Sequence, residues 1–231
     1  MPDLRIVNLE GTRRYISLLR AQHRLIAARR EGTLSSDVAL VLEHAPVFTL
    51  GRNATREHLK VSETFLTERG IQVVQAERGG DITYHGPGQV VAYLIFDLRA
   101  ARMRIPDYIS RLEEAMIRVA RDFDVPAGRN PLNPGVWVGN RKLGSIGIAV
   151  RHGIAYHGLA LNANLSLEPF TWIHPCGLTG ISMTSLKEER GRDIKIEDVK
   201  SALSGHLKDL FEGRGIAVNP MSSLGEIAIR P

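Results

Sequence analysis

The chain has one cysteine in 231 residues. No internal disulfide can form, no oxidising compartment is implied, and there is no Cys-x-x-Cys pair to hold zinc. Aromatic residues are scarce at 6%, and no stripe interleaves them with basic residues in the manner that stacks nucleobases, so a nucleic-acid partner is not expected. Apolar runs of the ~18 residues needed to cross a bilayer are missing. The first residues, Met-Pro-Asp-Leu-Arg, lack the basic-then-apolar pattern of a secretory leader, and a cytoplasmic protein with no membrane association is expected. No two histidines have metal-ligand spacing near a carboxylate, so no metal is expected. The acidic pairs Glu113-Glu114 and Glu188-Glu189 read as solvated helix or loop charges, not as the acid and base of glycoside chemistry. Without an internal repeat, a low-complexity tract or a polar linker, residues 1–231 read as one domain.

What is present is an ordinary globular composition, 43% hydrophobic, with enough chain for one substantial core. The formal charge of +5 comes from scattered lysines and arginines and favours acidic partners through long-range attraction. Residues 4–9 alternate as a strand, and Tyr15, Leu18, Leu19, Leu25 and Ile26 recur at helical spacing until Gly32. Apolar strands are expected at 38–42, 47–50, 71–74 and 90–96. A helix opens at Pro106 and carries Leu112, Met116 and Val119 on one face. Val136 to Val150 reads as a hairpin around Gly139-Asn140, continued by a strand from Ile154 to Leu161, and a last helix spans Ile196 to Phe211. The resulting class is α+β, a mixed and largely antiparallel sheet with flanking helices.

Chemistry concentrates in three places. Arg78-Gly-Gly-Asp-Ile-Thr-Tyr-His-Gly-Pro-Gly-Gln89 packs glycines and a proline around one arginine and one histidine between two apolar strands. Glycines there let the backbone approach a ligand closely, so the segment reads as a pocket wall with His85 as its best polar residue. Cys176 lies between Pro175 and Gly177. A lone cysteine is commonly a small buried hydrophobe, but these flanks suit a bend that presents a thiol, and Gly177 could aim a backbone N–H at a developing oxyanion. Lys142 sits beside the hairpin turn, where lysines are usually solvated. Held next to Cys176 it would lower the thiol pKa as an ammonium or take its proton as an amine, and the sequence leaves both roles open. For His157 and His174 structural hydrogen bonding is the expectation, and the histidines on helices and turns are read as exposed.

The Arg78–Gln89 segment with Tyr93 closely resembles the signature of the octanoyltransferase family, the lipoyl(octanoyl) transferases. Leu42-Glu-His-Ala-Pro-Val-Phe-Thr-Leu-Gly51, Gly135-Val-Trp-Val with Arg141-Lys-Leu-Gly-Ser-Ile-Gly147, and His157-Gly-Leu-Ala-Leu-Asn162 leading to Ile173-His-Pro-Cys-Gly177 and Thr184-Ser-Leu186 agree in the same order. Ser145 departs from the small apolar residue more usual there. The resemblance implies the fold of the catalytic domain of biotin and lipoate protein ligases. It makes Cys176 the acyl-thioester nucleophile and Lys142 its dyad partner. Arg78, Gly79, Gly80, Asp81, Ile82, Thr83, Tyr84 and His85 would line the acyl site with Ser145, Ile146, Gly147, Gly158, Leu159 and Ala160.

The same resemblance implies a donor, octanoyl-acyl carrier protein, which delivers the acyl group on its phosphopantetheine, so that no separate cofactor is required. The acceptors would be lipoyl domains of 2-oxoacid dehydrogenase complexes and the glycine cleavage H protein, and the enzyme would act as a monomer. Three rivals make different demands. An ATP-dependent ligase needs no cysteine at position 176, a thioesterase would pass the acyl group to water, and a basic nucleic-acid module would ignore alkylation of Cys176 and lose affinity steeply with salt.

Overall fold

The computed structural model describes residues 3–131, 133–173 and 182–212. The strands are β1 (Leu4–Arg13), β2 (Asp37–His44), β3 (Val47–Leu50), β4 (Gln72–Gln75), β5 (Ile82–His85), β6 (Gln89–Asp97), β7 (Gly128–Arg129), β8 (Val136–Val138), β9 (Arg141–Arg151), β10 (Ile154–Asn162) and β11 (Ser182–Met183). The α-helices are α1 (Tyr15–Glu31), α2 (Glu63–Glu68), α3 (Ile105–Asp122), α4 (Leu186–Arg190) and α5 (Ile196–Phe211). Among the described residues, one sheet of eight strands runs β1-β2-β6-β10-β9-β8-β7 with β11 paired to β9, and a smaller sheet runs β4-β3-β5. The β1–β2 and β9–β11 pairs of the large sheet are parallel and its other pairs antiparallel. The expected α+β class is therefore the one observed.

The central strands β2 and β6 read as continuous apolar runs because helices cover both faces of the sheet. Along β6 the side chains divide with period two. Val90, Ala92, Leu94 and Phe96 join the core under α3 and α5, while Val91, Tyr93 and Ile95 join the core under α1. Helix α3 contributes Tyr108, Leu112, Met116 and Val119 to its interface, and α5 contributes Val199, Leu203, Leu207 and Phe211. Helix α1 ends at Gly32, whose φ of 77° is the left-handed stop that glycine adopts without strain, with Arg29 and Arg30 in the last turn favourably placed against the helix dipole.

A third cluster, Phe48, Leu50, Leu66, Ile82, Tyr84, Phe170 and Ile173 among its members, glues the small sheet to α2 and to a 3₁₀ segment at Glu168–Trp172. It sets the small sheet beside the α1-covered face of the large one, and the crevice between them holds the candidate site. Two sequence expectations change here. Glu113 is 8% exposed and accepts from Gly135 N at 3.0 Å as well as from Arg129 Nε at 3.2 Å, so it anchors the approach to β8. Glu189 takes both ends of the Arg141 guanidinium, at 3.0 and 2.8 Å, and the Thr184 hydroxyl at 2.5 Å.

Candidate active site

The glycine-rich segment is not a bare loop. Its middle forms β5, which pairs with β3 from Val47↔His85 to Leu50↔Ile82. Before that strand the chain turns at Gly80, whose φ of 83° excludes most other residues. Arg78 is held with its head inward. Nη2 donates to the Thr49 carbonyl at 2.6 Å, Nε and Nη2 donate to Thr49 Oγ1 at 3.2 and 2.8 Å, and Nη1 donates to the Gly79 carbonyl at 3.1 Å. These oxygens help to fix the guanidinium. A side chain at Gly147 would run into it, since a Cβ there would stand 2.8 Å from Arg78 Cδ.

His85 begins a chain of buried hydrogen bonds. Its Nδ1 lies 2.7 Å from Gln89 Oε1, which only accepts, so Nδ1 carries the proton. Gln89 Nε2 donates to Asn162 Oδ1 at 2.9 Å, Asn162 Nδ2 donates to the Thr184 carbonyl at 2.9 Å, and Thr184 N donates to the Lys142 carbonyl at 2.9 Å. The glycine-rich segment is in this way tied to β11 and to Lys142. The Lys142 amine donates to Asn133 Oδ1 at 2.7 Å and lies 5.2 Å from the centre of the Trp137 ring.

Cys176, like His174 and the rest of 174–181, lies outside the described residues. The residues on either side of that segment are fastened. Ile173 is fully buried and bridges to Leu59, while Ser182 and Met183 pair with Arg141 and Lys142.

Between the two sheets lies a cavity of about 90 Å³. Every acyl-site residue expected from the sequence lines it except two: Arg78, Gly80, Asp81, Ile82, Thr83 and His85 on one wall, Ser145, Ile146, Gly147, Gly158, Leu159 and Ala160 on the other, and Lys142 with them. Gly79 instead donates its N–H to the Ile148 carbonyl at 2.8 Å and fastens the segment to the edge of β9. Tyr84 packs its ring against Phe48 and Phe170 in the third core, with centroids 5.2 and 5.8 Å away.

Seven lining residues escaped the sequence reading: Tyr15, Val91, Tyr93, Asn133, His157, Phe170 and Met183. Tyr15 and Val91 were hidden inside apolar periodicities, and Tyr93 was noted only as part of a signature. Lys142, Asn133, Asp81, Thr83, Ser145 and Met183 are half-buried, which makes theirs the open end. Tyr15, Tyr93 and His157 are 2%, 3% and 1% exposed, so theirs is the closed end.

The histidines around the closed end are uncharged at neutral pH. Burial pushes His44 down to about 4, partly offset by its bond to the Arg13 carbonyl. Burial, with the nearby Arg78 charge, pushes His157 down to about 3. Burial and then His44 hold His85 well below the ordinary histidine range. His44 is fully buried, contrary to the exposure expected of it. Its Nδ1 donates to the Arg13 carbonyl at 2.9 Å, leaving Nε2 to accept from the Tyr93 hydroxyl at 2.7 Å. His157 also departs from expectation, because neither ring nitrogen has a hydrogen-bond partner among the described residues. No group of histidine, cysteine, aspartate and glutamate side chains among the described residues could hold a metal ion, and no described helix is long and apolar enough to cross a membrane. The arrangement suits an apolar chain: a mostly apolar slot with an amine at its mouth.

The family profile of the lipoyl protein ligase A/B catalytic domain matches residues 15–208. An octanoyltransferase of Desulfotalea psychrophila is 50% identical over 203 residues, covering 87% of this chain and 91% of its own. One from Syntrophobacter fumaroxidans is 46% identical over 185 residues, covering 80% and 81%. Among solved structures, a lipoate-protein ligase A bound with ATP superposes with a TM-score of 0.71 at 15% identity, covering 96% of this chain and 88% of the other. The bipartite lipoate protein ligase of Thermoplasma acidophilum gives 0.71 at 15% identity, over 96% and 87%. These two likenesses concern the fold.

Proposed function

We propose, from the premise that this chain belongs to the octanoyltransferases of the lipoyl protein ligase A/B catalytic-domain family, that it moves an octanoyl group from acyl carrier protein to a lysine of a lipoyl domain through an acyl-cysteine at Cys176. The thiolate attacks the thioester carbonyl, the bond to the phosphopantetheine sulfur breaks, and that sulfur leaves as a thiol after taking up a proton. The amine of the acceptor lysine then attacks the acyl-cysteine. An amide forms, the carbon–sulfur bond breaks, and the amine proton returns the cysteine to its starting state. Both acyl donors are thioesters, so the route uses neither ATP nor a metal.

The observation that carries this reading is the slot itself, open at Lys142 and walled by the glycines of β9 and β10. Eight carbons give it apolar surface to bury, at about 0.8 kcal/mol for each CH₂. Lys142 is the group that takes the Cys176 proton or steadies the thiolate, and its bond to Asn133 and its place over Trp137 hold the amine at the mouth. The scattered positive charge favours acidic carrier and lipoyl domains. The acceptors are lipoyl domains of 2-oxoacid dehydrogenase complexes and the glycine cleavage H protein, the setting is the cytoplasm and the enzyme works as a monomer.

The ATP-dependent ligase is the nearest alternative, given the shared fold. Cys176→Ala separates the two. The transfer mechanism expects octanoylation of a lipoyl domain from octanoyl-acyl carrier protein to vanish and ATP with free octanoate to give no product. Full activity of Cys176→Ala, or product that depends on ATP, would establish the ligase instead.

A further inference from the structure

The closed end of the slot is not apolar, although the proposed ligand is. Tyr15 at the start of α1 and His157 on β10 both line the cavity there and are at least 98% buried. The Tyr15 hydroxyl and both ring nitrogens of His157 have no hydrogen-bond partner among the described residues. Their neighbours hold them in place. The Tyr15 ring stacks on His85 with centroids 6.4 Å apart, and Tyr93 meets His157 edge-on at 5.8 Å. Gln22 on α1 accepts the His157 backbone N–H at 2.8 Å. That backbone has a φ of 56°, a conformation uncommon in a non-glycine residue.

Buried polar atoms with unused capacity are costly unless water or a ligand satisfies them. A hydrocarbon chain can do neither. We infer that Tyr15 and His157 form a polar floor that binds water beyond the last carbon of an octanoyl chain, and that this floor sets the upper limit on acyl length by polarity instead of bulk. A chain several carbons longer must strip that water and press CH₂ groups against a hydroxyl and an imidazole that then have no partner. The gain from burying the extra carbons is cancelled. The inference takes the identity of the chain from the acyl-transfer reading, but its test does not need the transfer chemistry.

The test is calorimetric titration of the full chain with octanoate and with dodecanoate, for the wild type, for Tyr15→Phe and for Tyr15→Phe combined with His157→Leu. The wild type should bind octanoate about tenfold or more tighter than dodecanoate, and that ratio should fall about threefold in Tyr15→Phe and about tenfold in the double variant, mainly through tighter dodecanoate binding. A ratio unchanged in Tyr15→Phe, or a wild type that prefers dodecanoate, overturns the inference. Tyr15→Phe decides alone if the double variant does not fold, because it keeps the ring and removes one oxygen. Failure of octanoyl transfer with the binding ratios intact would count against the proposed reaction and not against the floor.

Discussion

At the scale of single residues, the site separates groups that carry chemistry from groups that carry structure. Arg78 lines the cavity as the sequence leads one to expect, and its contacts with Thr49 and Gly79 also lock the glycine-rich segment to β3. Lys142 is different. It is half-buried at the mouth, and its amine rests on an asparagine oxygen and near an indole face. Lys142→Met should therefore melt within a few degrees of the wild type while octanoyl transfer falls by about 10²-fold or more, in the range of a lost general base. Thermal melting beside steady-state transfer rates checks this, and a variant that transfers at the wild-type rate would remove Lys142 from the mechanism.

At the scale of elements, the main strands and the three long helices were legible because each carries one clean period: alternation in β1, continuous apolar runs in β2 and β6, a helical stripe in α3 and α5. What escaped was short or depends on distant partners. Strand β5 is four residues inside a segment dominated by glycine, and it is a strand because β3 pairs with it. Helix α4 is five residues long and rests on the Ser185 cap, whose hydroxyl accepts from Glu188 N at 3.1 Å. The candidate site was legible where glycine marks close approach and illegible where its lining doubles as core, as with Tyr15, Val91 and Phe170. The chain of bonds from His85 through Gln89 and Asn162 to Thr184 links elements far apart in sequence, and nothing local announces it. Gln89→Leu should strand the His85 N–H and the Asn162 side-chain Oδ1, lowering unfolding free energy by about 2–4 kcal/mol. Denaturant titration reads that loss directly, and a change under about 0.5 kcal/mol would mean the chain is not a structural tie.

At the scale of the whole molecule, the two sheets meet over a group of histidines buried in the neutral form, and the fold inherits their pH dependence. The folded values of His44 and His157, about 4 and about 3, lie below the 6.5 of an unfolded histidine. The unfolded chain therefore binds more protons as pH falls, so this stability is complete above about pH 6.5 and is lost progressively toward pH 4 and 3. Between pH 6.5 and 5 the loss is roughly 2 kcal/mol for each of these two histidines. His85 acts in the same direction. Denaturant unfolding at pH 7 and pH 5 should show the drop, and His44→Gln, which can still donate to the Arg13 carbonyl and accept from Tyr93, should show a smaller one. Equal slopes in both proteins would mean that His44 is not buried in its neutral form.

All of this places a slot of the right chemistry beside an amine, and the proposed reaction turns on one thiol. The most direct test is the intact mass of the purified protein seconds after mixing with octanoyl-acyl carrier protein in the absence of a lipoyl domain. The account expects a gain of one octanoyl group, located at Cys176 by peptide mapping, sensitive to hydroxylamine, and discharged when a lipoyl domain is added. An unmodified protein that nevertheless octanoylates the lipoyl domain, or an adduct on any other residue, would contradict it.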